Sequence, residues 1–235
     1  VDFQRYVFSE PYLGWLLGGV GMTVVIAALS GAAAMILGVA VTTARISDRP
    51  FPRWFARIYI CIFRNLPPVP LLLFLVFALP GLYRNLLGAA FPRGMEFGLL
   101  IAGLALNTSA YLAEILRAGV RGVPLQHWDA AKVCGLGRGK TLLLVVYPQA
   151  MRITLPALGT RLIHNMKNSS IALVLPLAPI YMDVTSQAGR IAGQTFAWAE
   201  PLIFAAGVYL ALTLCLSSLT AYLARRSQLK VEPTG

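Results

Sequence analysis

Charge is scarce in this sequence. Only 12% of its 235 residues are Asp, Glu, Lys or Arg, whereas 57% are hydrophobic and mean hydropathy is +0.70. Ordinary soluble domains carry roughly a quarter charged residues, so a water-soluble enzyme is excluded. So much apolar side chain also excludes a disordered chain. Acidic residues are scarcest, at 9 against 20 Lys and Arg, for a net charge of +11. A basic excess can mark a nucleic-acid binder. Here the basic residues fall between apolar runs, where they read as topology charges beside a membrane, and no nucleic-acid partner is expected. Cysteine is nearly absent: Cys61, Cys134 and Cys215 form neither a disulfide framework nor a metal-ligand spacing. His127 and His164 support neither a metal site nor a catalytic triad. No cofactor is implied. A cleavable leader pattern is missing, and so is the alternating polarity of an outer-membrane barrel.

What the chain has is long apolar runs. Five can be drawn, at about 13–44, 54–79, 97–118, 153–182 and 198–224. Each is long enough for a hydrocarbon core of about 30 Å at about 1.5 Å per residue. The first has no charge from Leu13 to Ala44. The expected fold is an all-α membrane protein with five transmembrane helices in one domain over 1–235. The connecting charges sort by side. The first connection holds Arg45, Asp48, Arg49, Arg53 and Arg57, the third Arg117, Arg121, Asp129, Lys132, Arg138 and Lys140, and the tail Arg225, Arg226, Lys230 and Glu232. The other two are balanced or acidic, with Arg84, Arg93 and Glu96 in one and Asp183, Arg190 and Glu200 in the other. The positive-inside rule then puts the C-terminus in the cytoplasm and the N-terminus outside. Trp15, Trp54 and Trp198 read as interface anchors.

The third connection, over 119–147, is too long for a simple turn. It reads as a turn at Gly122-Val123-Pro124, a short helix through Cys134, a glycine break, and a second helix ending at Pro148. Gly135, Gly137, Gly139, Lys140 and Thr141 imitate the end of a phosphate-binding loop, but Cys134 stands where that loop needs glycine, and no strand precedes it. An ATP site is not expected there. Instead Asp129, Ala130, Ala131 and Gly135, followed by Val145, Tyr147 and Pro148, resemble the "EAA" coupling motif of ABC importer permeases, with Asp for Glu. Further matches follow the order of polar amino acid permeases: Phe63-Arg64-Asn65-Leu66-Pro67; Asn107, Ala110, Tyr111, Glu114 and Arg117; Pro148-Gln149-Ala150; Lys167-Asn168-Ser169-Ser170; and Gln187-Ala188-Gly189. The likeness covers most of the chain and is nearest the glutamate/aspartate importers. It implies a multi-pass subunit of the bacterial inner membrane without an ATPase site of its own. Its partners would be a second permease subunit, cytoplasmic ATP-binding subunits and a periplasmic or extracellular substrate-binding protein.

One stretch suggests where substrate would pass. Arg161, His164, Asn165 and Asn168 recur at helical spacing with Lys167 beside them and Ser169 following, a donor-rich strip with no acid in it. An anionic substrate would neutralise it, which points to glutamate or aspartate, with glutamine as the alternative. The family's permeases for cationic amino acids often carry Asp after the lysine, where this chain has Asn168. The strip can equally be read as packing against the second subunit, or, for Arg161, as snorkelling. A second pairing is expected of Arg64 and Glu114, near one end of neighbouring antiparallel spans, because a lone charge there is costly. An intramembrane enzyme is the other class considered, but Glu114 is the only carboxylate within a span apart from Glu200 at the edge of the last run. An ion-coupled carrier would show inverted repeats, and none is seen.

Overall fold

Prolines set where the helices break. The computed structural model describes residues 2–88, 92 and 94–228; of the charges sorted above, Arg93, Lys230 and Glu232 lie outside them. A short helix α1 (Phe3–Tyr6) leads into α2 (Tyr12–Arg45), then α3 (Pro50–Asn65), α4 (Pro68–Leu87), α5 (Glu96–Gly122), α6 (Leu125–Val133), α7 (Arg138–Val174), α8 (Val184–Thr195) and α9 (Ala199–Gln228). Five of these, α2, α4, α5, α7 and α9, are long and apolar enough to cross a membrane.

The count of five agrees with the sequence, but two boundaries do not. The run at 54–79 is not one helix. Leu66, held extended by the proline after it, and Pro67 divide it. What precedes is α3, an amphipathic helix; the second apolar helix is α4, which reaches Leu87. The run at 153–182 also shifts: α7 starts at Arg138 and ends at Val174. Pro148 does not end a helix, because a π-turn at Leu142–Val146 precedes it and absorbs the missing N–H. Pro80 in α4 follows a π-turn at Phe74–Ala78 in the same register. The true stop is Leu175, extended before Pro176.

Helix α5 is the axis of the bundle. Small residues of α2 at three- and four-residue spacing, from Gly19 through Thr23, Ser30, Gly31 and Gly38 to Thr42, are buried on one face, which lets backbones approach closely. Their hydroxyls are satisfied within the helix: Thr23 donates to the Gly19 carbonyl at 2.9 Å and Ser30 to Ile26 at 2.6 Å. Thr42 bonds Gly38 at 2.7 Å and also the Ala113 carbonyl of α5 at 3.1 Å. Ile26 packs with Leu100 and Leu104, and Ala34 with Leu112 and Leu116, so α2 and α5 run the same way. Helix α7 returns antiparallel to α5, with Gly119 against Ala150 and Thr154, and Thr108 against Asn165. Helix α9 returns antiparallel to α7, with Thr220 beside Gly159 and Tyr209 bonded to Ser169. The ends of α2 and α5, the start of α7 and the end of α9 therefore share one end of the bundle. These carry the basic connections, as the charge sorting requires.

The polarity is inverted relative to a soluble protein. Thr23, Ser30, Thr108 and Asn165 are fully buried while Ile36 is 73% exposed and Leu210 61%. Hydrocarbon around the bundle accounts for both facts: polar groups find partners inside, and large apolar side chains face lipid. At the opposite end, Asp183 caps α8, accepting from the backbone N–H groups of Thr185 and Ser186 at 3.2 and 3.0 Å. It also accepts from the Tyr209 hydroxyl at 2.8 Å, which ties α8 to α9.

Candidate functional site: a polar seam and a basal lever

Helix α7 supplies two kinds of polar residue, which the sequence strip did not separate. Asn165 faces inward and is fully buried. Its Nδ2 donates to Ser30 Oγ at 2.7 Å, and its Oδ1 accepts from Thr108 Oγ1 at 2.8 Å. One amide thus joins α2, α5 and α7. Ser169 is also buried, bonded to the Met166 carbonyl at 2.7 Å and to Tyr209 Oη at 2.9 Å. These two residues hold helices together and are not open to a ligand. His164 and Lys167 are exposed on the other side of α7, with Asn168 half-buried beside them. Burial divides the strip between interior and surface.

Arg161 sits between these roles. Its Nη2 donates to Asn107 Oδ1 at 2.7 Å, and its guanidinium lies 3.8 Å from the centroid of the Tyr111 ring. Asn107 in turn donates to the Phe63 and Leu66 carbonyls at 2.8 and 3.3 Å, satisfying backbone groups freed at the end of α3. Tyr111 donates to the Arg64 carbonyl at 2.9 Å and carries the Arg64 guanidinium 5.3 Å from its ring centroid. Two arginines therefore flank one tyrosine. The Nε of Arg161 is buried with no hydrogen-bond partner, an unused donor beside this group.

The expected Arg64–Glu114 pair is replaced. Among the described residues Glu114 pairs with Arg117, at 2.5 Å, and more loosely with Arg45, at 3.9 Å. The cause is register: α3 runs antiparallel along α5, and Arg64 reaches it at Tyr111, about one turn short of Glu114. Tyr59 of α3 anchors the same contact, its hydroxyl 2.6 Å from Ser109 Oγ. Burial pushes the Tyr59 phenol above its usual range.

The second site is α6, at the basic end. Its C-terminus is a Schellman motif: Leu136 N–H donates to the Ala131 carbonyl at 3.0 Å and Gly135 N–H to Lys132 at 2.9 Å, with Gly135 at φ 75°. Ala131 is buried against the bundle, whereas Asp129 and Ala130 face outward, with Leu125 78% and Val133 88% exposed. Among the described residues Asp129 makes only an exposed pair with Lys132 at 3.3 Å. The helix is fastened near its start, and the turn that follows it is fixed by Arg138, the first residue of α7. His127 Nδ1 lies 2.5 Å from Gln149 Oε1, while Arg138 pairs with Asp48 and donates to the Ile46 carbonyl at 3.1 Å. Trp128 packs into a cluster of Val120, Val123, Val146 and Tyr147, and Tyr147 Oη lies 2.7 Å from Thr43 Oγ1. These contacts join α6 to the start of α7, and the start of α7 to the end of α2.

Sequence reasoning missed Ser30, Thr108 and Tyr209. The signal for Ser30 was available, in the hydroxyl and glycine positions repeating along α2. Tyr209 left none, since an aromatic in an apolar run reads as core. One prediction follows from this seam. Asn165→Ala should destabilise the protein by about 1–3 kcal/mol, the cost of leaving a buried hydroxyl unpaired. His164→Ala, at an exposed position, should change stability by about 0.5 kcal/mol or less. Thermal unfolding in detergent measures both, and equal shifts would remove the distinction drawn between the two faces of α7.

Comparison with known proteins agrees with this architecture. The sequence pattern of binding-protein-dependent transport system inner membrane components matches residues 34–228. The glutamate/aspartate import permease protein GltK of Escherichia coli O6:H1 is 29% identical over 226 residues, 96% of this chain and 98% of that one. The arginine transport system permease protein ArtQ of Bacillus subtilis is 33% identical over 218 residues, 92% of this chain and 93% of that one. A crystal structure of an amino acid ABC transporter with histidines superposes with a TM-score of 0.77 at 28% identity, covering 96% of this chain and 99% of that one.

Proposed function

The chain belongs to the family of binding-protein-dependent transport system inner membrane components, and from that premise we propose that it is the permease subunit of an ATP-driven importer of acidic amino acids. The α6 helix carries the reading. It is a short, capped helix with an outward face of Leu125, Asp129, Ala130 and Val133, joined to the start of α7 through His127 and packed through Trp128 on the apolar cluster at the base of α5 and α7. Such an element can enter a cleft of a cytoplasmic ATP-binding subunit and turn its closure into a rigid-body shift of the bundle. Hydrolysis belongs to that partner. A second permease subunit completes the path against the exposed side of α7, and a binding protein delivers substrate at the end where Asp183 caps α8. The basic end faces the cytoplasm and the N-terminus lies outside.

The substrate assignment rests on Arg161, Arg64 and Lys167, which place fixed cations near Tyr111 and the open face of α7. The free Nε of Arg161 is suited to a carboxylate oxygen. Asn168 and His164 add hydrogen-bonding groups on the open face; Asn165 and Ser169 support the helix from behind. The relative ArtQ favours a second reading, a cationic substrate. Uptake by the assembled complex separates the two. Arg161→Ala and Lys167→Ala should each weaken aspartate or glutamate transport by about 10- to 100-fold, the worth of a charged hydrogen bond. Normal acidic transport in both variants, or a wild-type preference for arginine, would defeat the acidic reading and leave the permease assignment intact.

A further inference from the structure

Below the polar seam, at the end of the bundle that carries α6, lies a cavity of about 490 Å³ between the end of α2, the start of α3 and the end of α5. Five arginines line it: Arg45, Arg53, Arg57, Arg117 and Arg121. Carboxylates are too few to balance them. Glu114 serves Arg117 and Arg45 together, and Asp48, on the cavity wall, is already paired with Arg138. Among the described residues Arg57 and Arg121 have no ion-pair partner. Arg53 donates its Nη2 to the Asp48 carbonyl at 2.6 Å, but its Nε is buried and unpartnered. Three separate helices thus direct guanidinium groups into one space with a surplus of positive charge. Repulsion among them is a cost that a bound anion would relieve.

We propose that this cavity binds a phosphate ester. Guanidinium forks match tetrahedral phosphate oxygens in pairs, and several converging on one space form a phosphate site. A free carboxylate offers only two oxygens for so many donors. The phosphate has two conceivable sources, a membrane phospholipid and a soluble phosphate compound. The setting of α3 favours the lipid. Phe51, Trp54, Phe55, Ile58 and Ile62 are exposed along one side of this amphipathic helix, while Arg53 and Arg57 turn to the cavity. The helix rises from the basic end, at Arg57, along α5 to Asn107, which donates to its Phe63 carbonyl, so its apolar side is turned to lipid and puts an acyl-chain surface next to the headgroup site. The cavity wall includes Leu125 and Trp128 of α6, so an occupant touches the helix proposed to transmit force. Lipid headgroup charge would then influence coupling without entering the substrate path.

The test is native mass spectrometry of the full chain, purified with the subunits it retains. The probes are phosphatidylglycerol, phosphatidylcholine with the same acyl chains, and inorganic phosphate. The expected result is preferential retention of phosphatidylglycerol, weakened about fivefold for each arginine removed, on the scale of one basic residue at an anionic membrane surface. The variants are Arg121→Gln and Arg57→Gln, neither of which disturbs an ion pair, with Arg84→Gln of α4 as a control that leaves retention unchanged. Binding of inorganic phosphate with the same arginine dependence, and no preference between lipids, supports the soluble source. Retention unchanged in both cavity variants overturns the site. So does a crosslink showing an acidic side chain of a co-purified subunit seated between Arg57 and Arg121.

Discussion

Valine at position 135 is expected to abolish coupled uptake while leaving the protein in the membrane. Gly135 has φ 75° and nothing within 4 Å of where a side chain would begin, so space is not the constraint. Backbone conformation is. A β-branched residue held in the left-handed region costs about 1–2 kcal/mol, and escape from it breaks the two bonds that end α6, Leu136 to Ala131 and Gly135 to Lys132. The helix would then lose its fixed angle to α7, because Arg138, which fastens the following turn to Asp48 and Ile46, lies only three residues on. Under the proposed function, Gly135→Val should reduce ATP-driven uptake by at least about tenfold, since a misaligned lever loses most of its productive contacts. ATP hydrolysis by the associated subunits should continue. Gly135→Asn is the discriminating companion, because asparagine tolerates the left-handed region and should keep most of the uptake. Equal loss in both variants would show that the small size of glycine matters rather than its conformation. Normal uptake in the valine variant would remove α6 from the transmission path.

The same contrast between conformation and contact explains how much of this molecule is legible in its sequence. Hydropathy identifies five apolar helices because backbone in hydrocarbon must satisfy itself, and helix is the simplest way. The sorting of basic connections to one end follows from the same counting. Boundaries are harder. Pro67 and Pro68 are visible breakers, yet they lie inside a stretch whose average hydropathy hides them, so α3 and α4 read as one span. Pro148 misleads in the opposite direction: the π-turn at Leu142–Val146 lets the helix pass through it. The α6 segment was readable in detail, since glycine after a short helix announces a left-handed cap. The seam was readable only as a list of polar residues on α7. Whether Asn165 faces a neighbour or a path depends on α2 and α5, whose contribution is a serine and a threonine hidden among apolar residues. Arg64 illustrates the limit. Its charge was noticed, but its partner depended on the register of α3 along α5, which sets it at Tyr111.

The largest loss of stability is expected at Gly119. Here contact, and not φ, is the constraint. A Cβ at this position would lie 2.6 Å from Thr154 Cγ2 and 2.8 Å from the Ala150 carbonyl oxygen. The threonine methyl could turn aside, though Thr154 Oγ1 is committed to that same carbonyl at 2.8 Å. The carbonyl cannot turn aside, since it belongs to the backbone of α7. Any side chain at 119 must therefore push α7 away from α5. That separation would propagate along the antiparallel pair to Leu158 against Leu112 and Leu116, and on to the Asn165–Thr108 bond at the far end. Gly119→Leu should cost about 3 kcal/mol or more, at the upper end of overpacking effects, and reduce the folded protein recovered from membranes. Gly207→Leu, on α9 with open space around it, should leave recovery near wild type. Gly119→Ala separates sterics from helix propensity, because alanine favours the helix by about 1 kcal/mol over glycine. If the clash governs, Gly119→Ala destabilises in spite of that gain; if it leaves the unfolding temperature unchanged or raises it, the close approach of α5 and α7 at this point is wrong.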